Sequence, residues 1–267
     1  YLLAIARHDS IPVTRGLAAP LGKAGEDPPA HIHGADGLGN LAQRESHALR
    51  LDPRSSAQFI VDTARQQPGQ ITVVAVGPLG NLALALEIEP QLPQLLRAVV
   101  IMGGTVLEPG NVSPVAEANI WNDPHAADKV FAADWQVEMI GLDVTHHAIL
   151  DRTILDRFAA LPGASAKVAA ELLKFSFDRS AAWGQGEKMA IHDAVAVLHL
   201  AIPDLVGVSR YHVVVDATQG PARGRTIGDA NPYRLKRDKV EPNCDVGLTI
   251  DSQRFADEMV DIYSKLP

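Results

Sequence analysis

Residues 71–88 read ITVVAVGPLGNLALALEI. The first six are β-branched or small and almost wholly apolar, as a strand buried on both faces of a sheet requires. Gly77 and Pro78 then break the run. From Leu79 onward the apolar residues return at three- and four-residue intervals, the period of a helix face. Strand, turn and helix in that order are the unit from which parallel sheets are built, because parallel strands need a crossover.

The same alternation continues outward. Apolar runs at 98–102 (AVVIM), 137–142 (VEMIGL) and 211–215 (YHVVV) read as strands, with a short one at 11–13. The late run DVGLTI, 245–250, is expected to pair at an edge. LGNLALALEI, DPHAADKVFAA and SQRFADEMVDIYSKL each show helical spacing behind a plausible cap. The expected class is α/β: an open, mostly parallel, Rossmann-like sheet flanked by helices, with residues 1–267 as a single domain.

Composition excludes several functions. With 46% hydrophobic and 21% charged residues the chain can bury a sizeable core. A net charge of -8, without a basic run carrying interleaved aromatics, speaks against nucleic acid polymers as partners. No apolar run approaches the roughly 20 residues of a membrane span, and no signal-peptide pattern opens the chain. Cys244 is the single cysteine, so no intrachain disulfide forms; this fits a reducing compartment, and a cytoplasmic location is expected.

Open parallel sheets bind ligands beyond the carboxyl ends of their strands. There the sequence turns polar: GPLGN after Val76, GGTVLEPGN after Met102, DVTHH after Leu142, and His192-Asp193 after the run MAI. The stretch 110–124, GNVSPVAEANIWNDP, is kept from regular helix by its glycine and prolines. Glu117 and Asn119, two apart, point the same way if extended, and Asn111 can fold back toward them. Two amides and a carboxylate suit adjacent hydroxyl groups. Each has a local alternative: Asn111 in a turn, Asn119 on nearby backbone, Asp123 capping the helix that follows. Glu117 resists that account, since among Val115, Ala116, Ala118, Ile120 and Trp121 a carboxylate needs partners.

For His192 and Asp193 two accounts stand. Asp193 caps the helix AVAVLHLAI while His192 sits in a loop, or Asp193 is an oxygen ligand for a hard cation and His192 a general acid near neutral pH. His31 and His33 have a spacing reminiscent of zinc sites but no cysteine or HExxH partner, and read as loop histidines. They lie in KAGEDPPAHIHGADGLGN, 23–40, expected as a mobile loop beside a site. The remaining histidines, His199 among them, are expected on surfaces or satisfied in the core. No dinucleotide, P-loop or G-x-S-x-G motif is present.

Six segments together, HIHGADGLGN, VAVGPLGNLALAL, VVIMGG, GNVSPVAEANIWNDPHAADKVF, MIGLDVTH and IHDAVAV, resemble the nucleoside hydrolase family of the inosine-uridine preferring type. The resemblance runs in order from about residue 31 to residue 200, and its GN-x5-E-x-N segment with a later HD is its most specific part. It implies calcium-dependent hydrolysis of the N-glycosidic bond of ribonucleosides. By the same resemblance Asn111, Glu117 and Asn119 hold the ribose hydroxyls, Met102 lies near the sugar, and His33 sits in a loop that closes over substrate. Asp193 and the main-chain carbonyl of Val76 are implied as calcium ligands, His192 as the acid for the departing base. The loop FDRSAAWGQGEKM is where base contacts are implied, Trp183 either stacking on a base or packed. Histidine in the HD pair points to inosine, uridine or cytidine. A role in purine and pyrimidine salvage and a homodimer or homotetramer complete what the resemblance implies.

The family's Asp-x-Asp-Pro-Gly-x-Asp-Asp motif does not occur in these residues. The expectation is therefore a chain that begins past the first strand of such a fold. Asp193 and one carbonyl fall short of the roughly 6 to 8 oxygens that calcium takes, so the full calcium-dependent activity is expected of the complete protein. The alternative is an inactive nucleoside- or ribose-binding homologue without the metal.

Overall fold

The computed structural model describes residues 1–21, 30–41, 51–184 and 186–267. In its first third lie α1 (Leu2–Ile5), β1 (Val13–Arg15), α2 (Ala30–His33), β2 (Leu51–Ser55), α3 (Ser56–Gln66), β3 (Thr72–Ala75), α4 (Gly80–Ile88) and α5 (Leu92–Leu95). The middle holds β4 (Ala98–Met102), α6 (Ala118–Asn122), α7 (Pro124–Phe131), β5 (Val137–Ile140), α8 (Leu142–Thr145), β6 (Ile149–Asp151), α9 (Ile154–Ala159) and α10 (Ala164–Ala182). The last third adds β7 (Lys188–Ala190), α11 (Asp193–Ala201), β8 (Val206–Val215), β9 (Thr226–Asp229), α12 (Pro232–Asp238), β10 (Cys244–Ile250) and α13 (Ser252–Ser264).

Six strands form the main sheet in the order β3-β4-β5-β10-β8-β9. β3, β4, β5 and β10 run parallel, and β8 and β9 follow antiparallel. The expected α/β class is the observed one. Alternate side chains of β4 go to opposite faces: Val99 and Ile101 join the core beneath α3, α4 and α7, while Val100 and Met102 join the one beneath α9, α10, α11 and α13. Two layers of helix cover the faces of this sheet, and the polar turns follow its strand ends.

Several expectations need correction. β10 lies between β5 and β8, not at an edge. Asp245 stands opposite Arg210 of β8 and pairs with it at 3.3 Å, while Cys244 and Val246 are buried. The short early strand is Val13–Arg15 rather than 11–13. Helix α13 is capped by Asp251 and α7 by Asp123, as expected, but α4 has no side-chain cap. Within the glycine-rich stretch, residues 30–33 are helical and 23–29 lie outside the described residues. His199 is buried, with its Nε2 2.8 Å from Glu138 Oε2 of β5, and its Nδ1 has no partner among the described residues.

Candidate active site

The carboxyl ends of β4 and β5 approach each other unusually closely. A Cβ at Gly141 would lie 2.5 Å from the carbonyl oxygen of Gly104, and Gly104 itself has φ +78°. Only glycine serves at both positions. The Leu142 N–H donates to Gly104 O at 2.9 Å, so the loop after β4 and the turn of α8 are fastened where they meet.

The stretch 110–124 is more ordered than its glycine and prolines suggest. Residues 118–122 form α6, and Glu117 is its N-cap. The carboxylate, only 2% exposed, accepts from the N–H groups of Asn119 at 2.9 Å, Gly104 at 3.1 Å and Ile120 at 3.2 Å. Glutamate is long for this position; it reaches because its backbone is extended (ψ 148°) and Gly103 leaves room above it. Asn111 folds back as expected, its Oδ1 accepting from Ala118 N–H at 3.0 Å. Asn119 donates from Nδ2 to the carbonyl of Met102 at 3.0 Å, at the end of β4. The three side chains thus gather at the first turn of α6. The Asn111 Nδ2 amine and Asn119 Oδ1 are not used by these bonds.

On the far side of α6, the guanidinium of Arg223 stacks 4.5 Å from the Trp121 ring and donates from Nη1 to the Trp121 carbonyl at 2.6 Å. The helix is held at both ends.

His192, rather than Asp193, occupies the N-cap position of α11, and Asp193 is the first helical residue. His192 Nδ1 lies 2.7 Å from Thr145 Oγ1 in α8, and the His146 ring meets its ring edge-on at 6.1 Å between centroids. Burial, followed by the neighbouring His146, holds the His192 pKa down to about 4. The ring therefore rests neutral near neutral pH.

Burial raises the pKa of Glu117 against the pull of its three backbone donors, and the charge of Asp193 raises it further. Asp193 is also shifted up by desolvation, opposed by His33. The charge of Asp193 thus acts on Glu117, and that of His33 on Asp193. The helix that carries His33, α2, docks on α10: Arg179 donates to the Ile32 carbonyl and lies 5.2 Å over the Trp183 ring, and His31 meets that ring at 6.2 Å. Residues 177–182, expected as loop, are the end of α10. Trp183 just beyond is 50% exposed.

Two residues here were not singled out from sequence. Asp143, buried in α8, accepts from Leu107 N–H at 2.7 Å, Val106 N–H at 2.9 Å and Glu108 N–H at 3.0 Å, and so shapes the loop that leads to Asn111. Thr145, two residues on, is fully buried against His192. Polar residues directly after an apolar strand run were the available signal. Val76, at the end of β3, is 42% exposed. Among the described residues no three His, Cys, Asp or Glu side chains group so as to hold a metal ion.

The family model described as inosine-uridine preferring nucleoside hydrolase matches residues 1–257. A probable uridine nucleosidase 1 of Oryza sativa subsp. japonica is 35% identical over 225 residues, covering 84% of this chain and 68% of the relative. The inosine-uridine preferring nucleoside hydrolase of Leishmania major is 31% identical over 259 residues, covering 96% and 80%. Among solved structures, a purine-preferring ribonucleoside hydrolase from Gardnerella vaginalis superposes with a TM-score of 0.89 at 30% identity, over 98% of this chain and 82% of that one.

Proposed function

Because the chain belongs to the inosine-uridine preferring nucleoside hydrolase family, we propose that its site at the carboxyl ends of β4 and β5 hydrolyses ribonucleosides to ribose and free base. The observation that supports the assignment of roles is the gathering of Asn111, Glu117 and Asn119 at one helix turn. Glu117 and the two amides grip the ribose hydroxyls, with Met102 beneath the sugar and His33 at the rim. Such fixing of a substrate turns its binding energy into orientation. His192, neutral at rest, presents a ring N–H to the departing base. In the overall reaction water adds at the anomeric carbon, the N-glycosidic bond breaks, and the proton count balances as the base gains the hydrogen that the water loses.

Calcium needs about 6 to 8 oxygen donors. Asp193 and the Val76 carbonyl are what the described residues offer, too few for that ion. The described residues do not by themselves make a calcium site, and the roles above belong to side chains alone.

The histidine beside Asp193 favours inosine, uridine and cytidine as substrates, in salvage of free nucleosides in the cytoplasm. Incubation with each, followed by reducing-sugar assay and chromatography of the free base, is expected to give ribose and base in equal amounts. Ribose binding without base release, unaffected by added Ca²⁺ in calorimetry, would instead support the ribose-binding homologue; neither binding nor release would remove both. Exposed Val197 and Leu200 on the outer face of α11 favour a homodimer or homotetramer, which light scattering measures.

A further inference from the structure

The bond between Thr145 and His192 has a direction that burial decides. Thr145 is fully buried, and its hydroxyl carries one proton to donate and two lone pairs to accept with. Its one hydrogen-bond partner among the described residues is His192 Nδ1 at 2.7 Å. The usual local outlet for a helical threonine, the carbonyl four residues back, is the Gly141 carbonyl; that oxygen accepts from the backbone N–H groups of Thr145 at 3.0 Å and Val144 at 3.2 Å. If Nδ1 carried the ring proton and donated to Oγ1, the hydroxyl proton would be left buried without an acceptor, which is unfavourable. If the hydroxyl donates instead, both groups are satisfied. Nδ1 is then the acceptor, and the proton of the neutral ring sits on Nε2. Nε2, across the ring, makes no hydrogen bond among the described residues and is not one of their buried, unpaired atoms, so among them it is the ring nitrogen left for a ligand.

We propose that Thr145 is a positioning residue that fixes His192 as its Nε2–H tautomer, so that the neutral imidazole presents a donor, not a lone pair, at the nitrogen away from Thr145. The functional meaning of that donor rests on the proposed role of His192 beside the departing base; the tautomer itself does not. The placement follows from the chain path, since α8 leaves β5 at the same strand end where Asp143 shapes the sugar-side loop. One turn of helix thus sets both the loop and the ring.

Long-range ¹H–¹⁵N spectra of the ¹⁵N-histidine-labelled protein at neutral pH test this, with His192 assigned by the signals missing from His192→Gln. The expected wild-type pattern has a protonated Nε2 and an unprotonated Nδ1. Thr145→Val, nearly the same shape without the hydroxyl, is expected to give averaged tautomers, and Thr145→Ser to restore the fixed pattern. A protonated Nδ1 in the wild type overturns the proposal without any variant having to fold. An unchanged His192 pattern in a folded Thr145→Val protein overturns it too. Turnover separates this from the reading of the site. With a positioned donor worth about 10²–10⁴-fold, Thr145→Val should lose roughly 10- to 100-fold in kcat on inosine and less than about threefold on p-nitrophenyl riboside, whose leaving group needs no such help. Equal losses on both substrates overturn the leaving-group role of His192 and leave the spectra to decide Thr145.

Discussion

At Glu117 a buried charge and a capping function coincide. Its carboxylate offers about four acceptor positions, and three backbone N–H groups take part of that capacity. What is left is an anionic acceptor whose pKa is raised. A folded-state pKa above the unfolded value means that this carboxyl contributes stability at low pH and loses it as pH rises through the raised value. Glu117→Gln keeps an oxygen for the helix N–H groups and removes the charge. We expect a change in unfolding free energy of less than about 1 kcal/mol, while ribose affinity falls roughly 10- to 100-fold, as the loss of a hydrogen bond to a charged group implies. Urea unfolding and calorimetry with ribose check the two halves; a protein that unfolds easily but binds ribose as before would make Glu117 a cap alone. The sequence made the cluster visible through the unusual carboxylate among apolar neighbours. It hid the cap, because glutamate is a poor local signal for a helix start and one of its donors, Gly104, is 13 residues away.

Between elements, the turn of α8 governs most of the geometry. Asp143 gathers three successive N–H groups of the loop after β4, an arrangement that backbone alone would not hold. Asp143→Ala leaves these donors without their acceptor, at about 1–3 kcal/mol for each that stays buried. Hydrogen exchange should then accelerate at Val106, Leu107 and Glu108 by at least about tenfold, the factor for 1.4 kcal/mol, before the central strands respond. Unchanged exchange at these amides would show that the loop is shaped by other contacts. Strands β3, β4 and β5 were legible because their residues are apolar on both faces. β10 was misplaced because its polar residues find partners on a strand adjacent in space, and α8 carried no helical period at only 4 residues. For Asp143 and Thr145 the polar turn after the strand was visible but their roles were not, for a related reason: their partners lie 35 to 47 residues away, which no local pattern encodes.

Taken as a whole, the molecule keeps its one thiol at the centre. Cys244 begins β10, is 1% exposed, and burial pushes its pKa up to about 12. It should not react with a thiol reagent at pH 8 in the native state and should react fully in denaturant, so labelling follows global opening. The sign of the pH effect is set by the raised value: the neutral thiol's contribution is intact below the ordinary thiol pKa near 9.0 and is lost as pH climbs toward 12. Rapid native-state labelling at pH 8 would mean that β10 detaches locally. The stacking of Arg223 on Trp121 has a different consequence. Only three tryptophans occur in the chain. Trp183 is half exposed and the Trp135 indole N–H is held by the Val130 carbonyl at 2.8 Å, so Trp121 is the fluorophore two residues from Asn119. A sugar arriving at that helix should alter its emission against the cation beside it, giving the protein an optical gauge of its own occupancy with no dye attached.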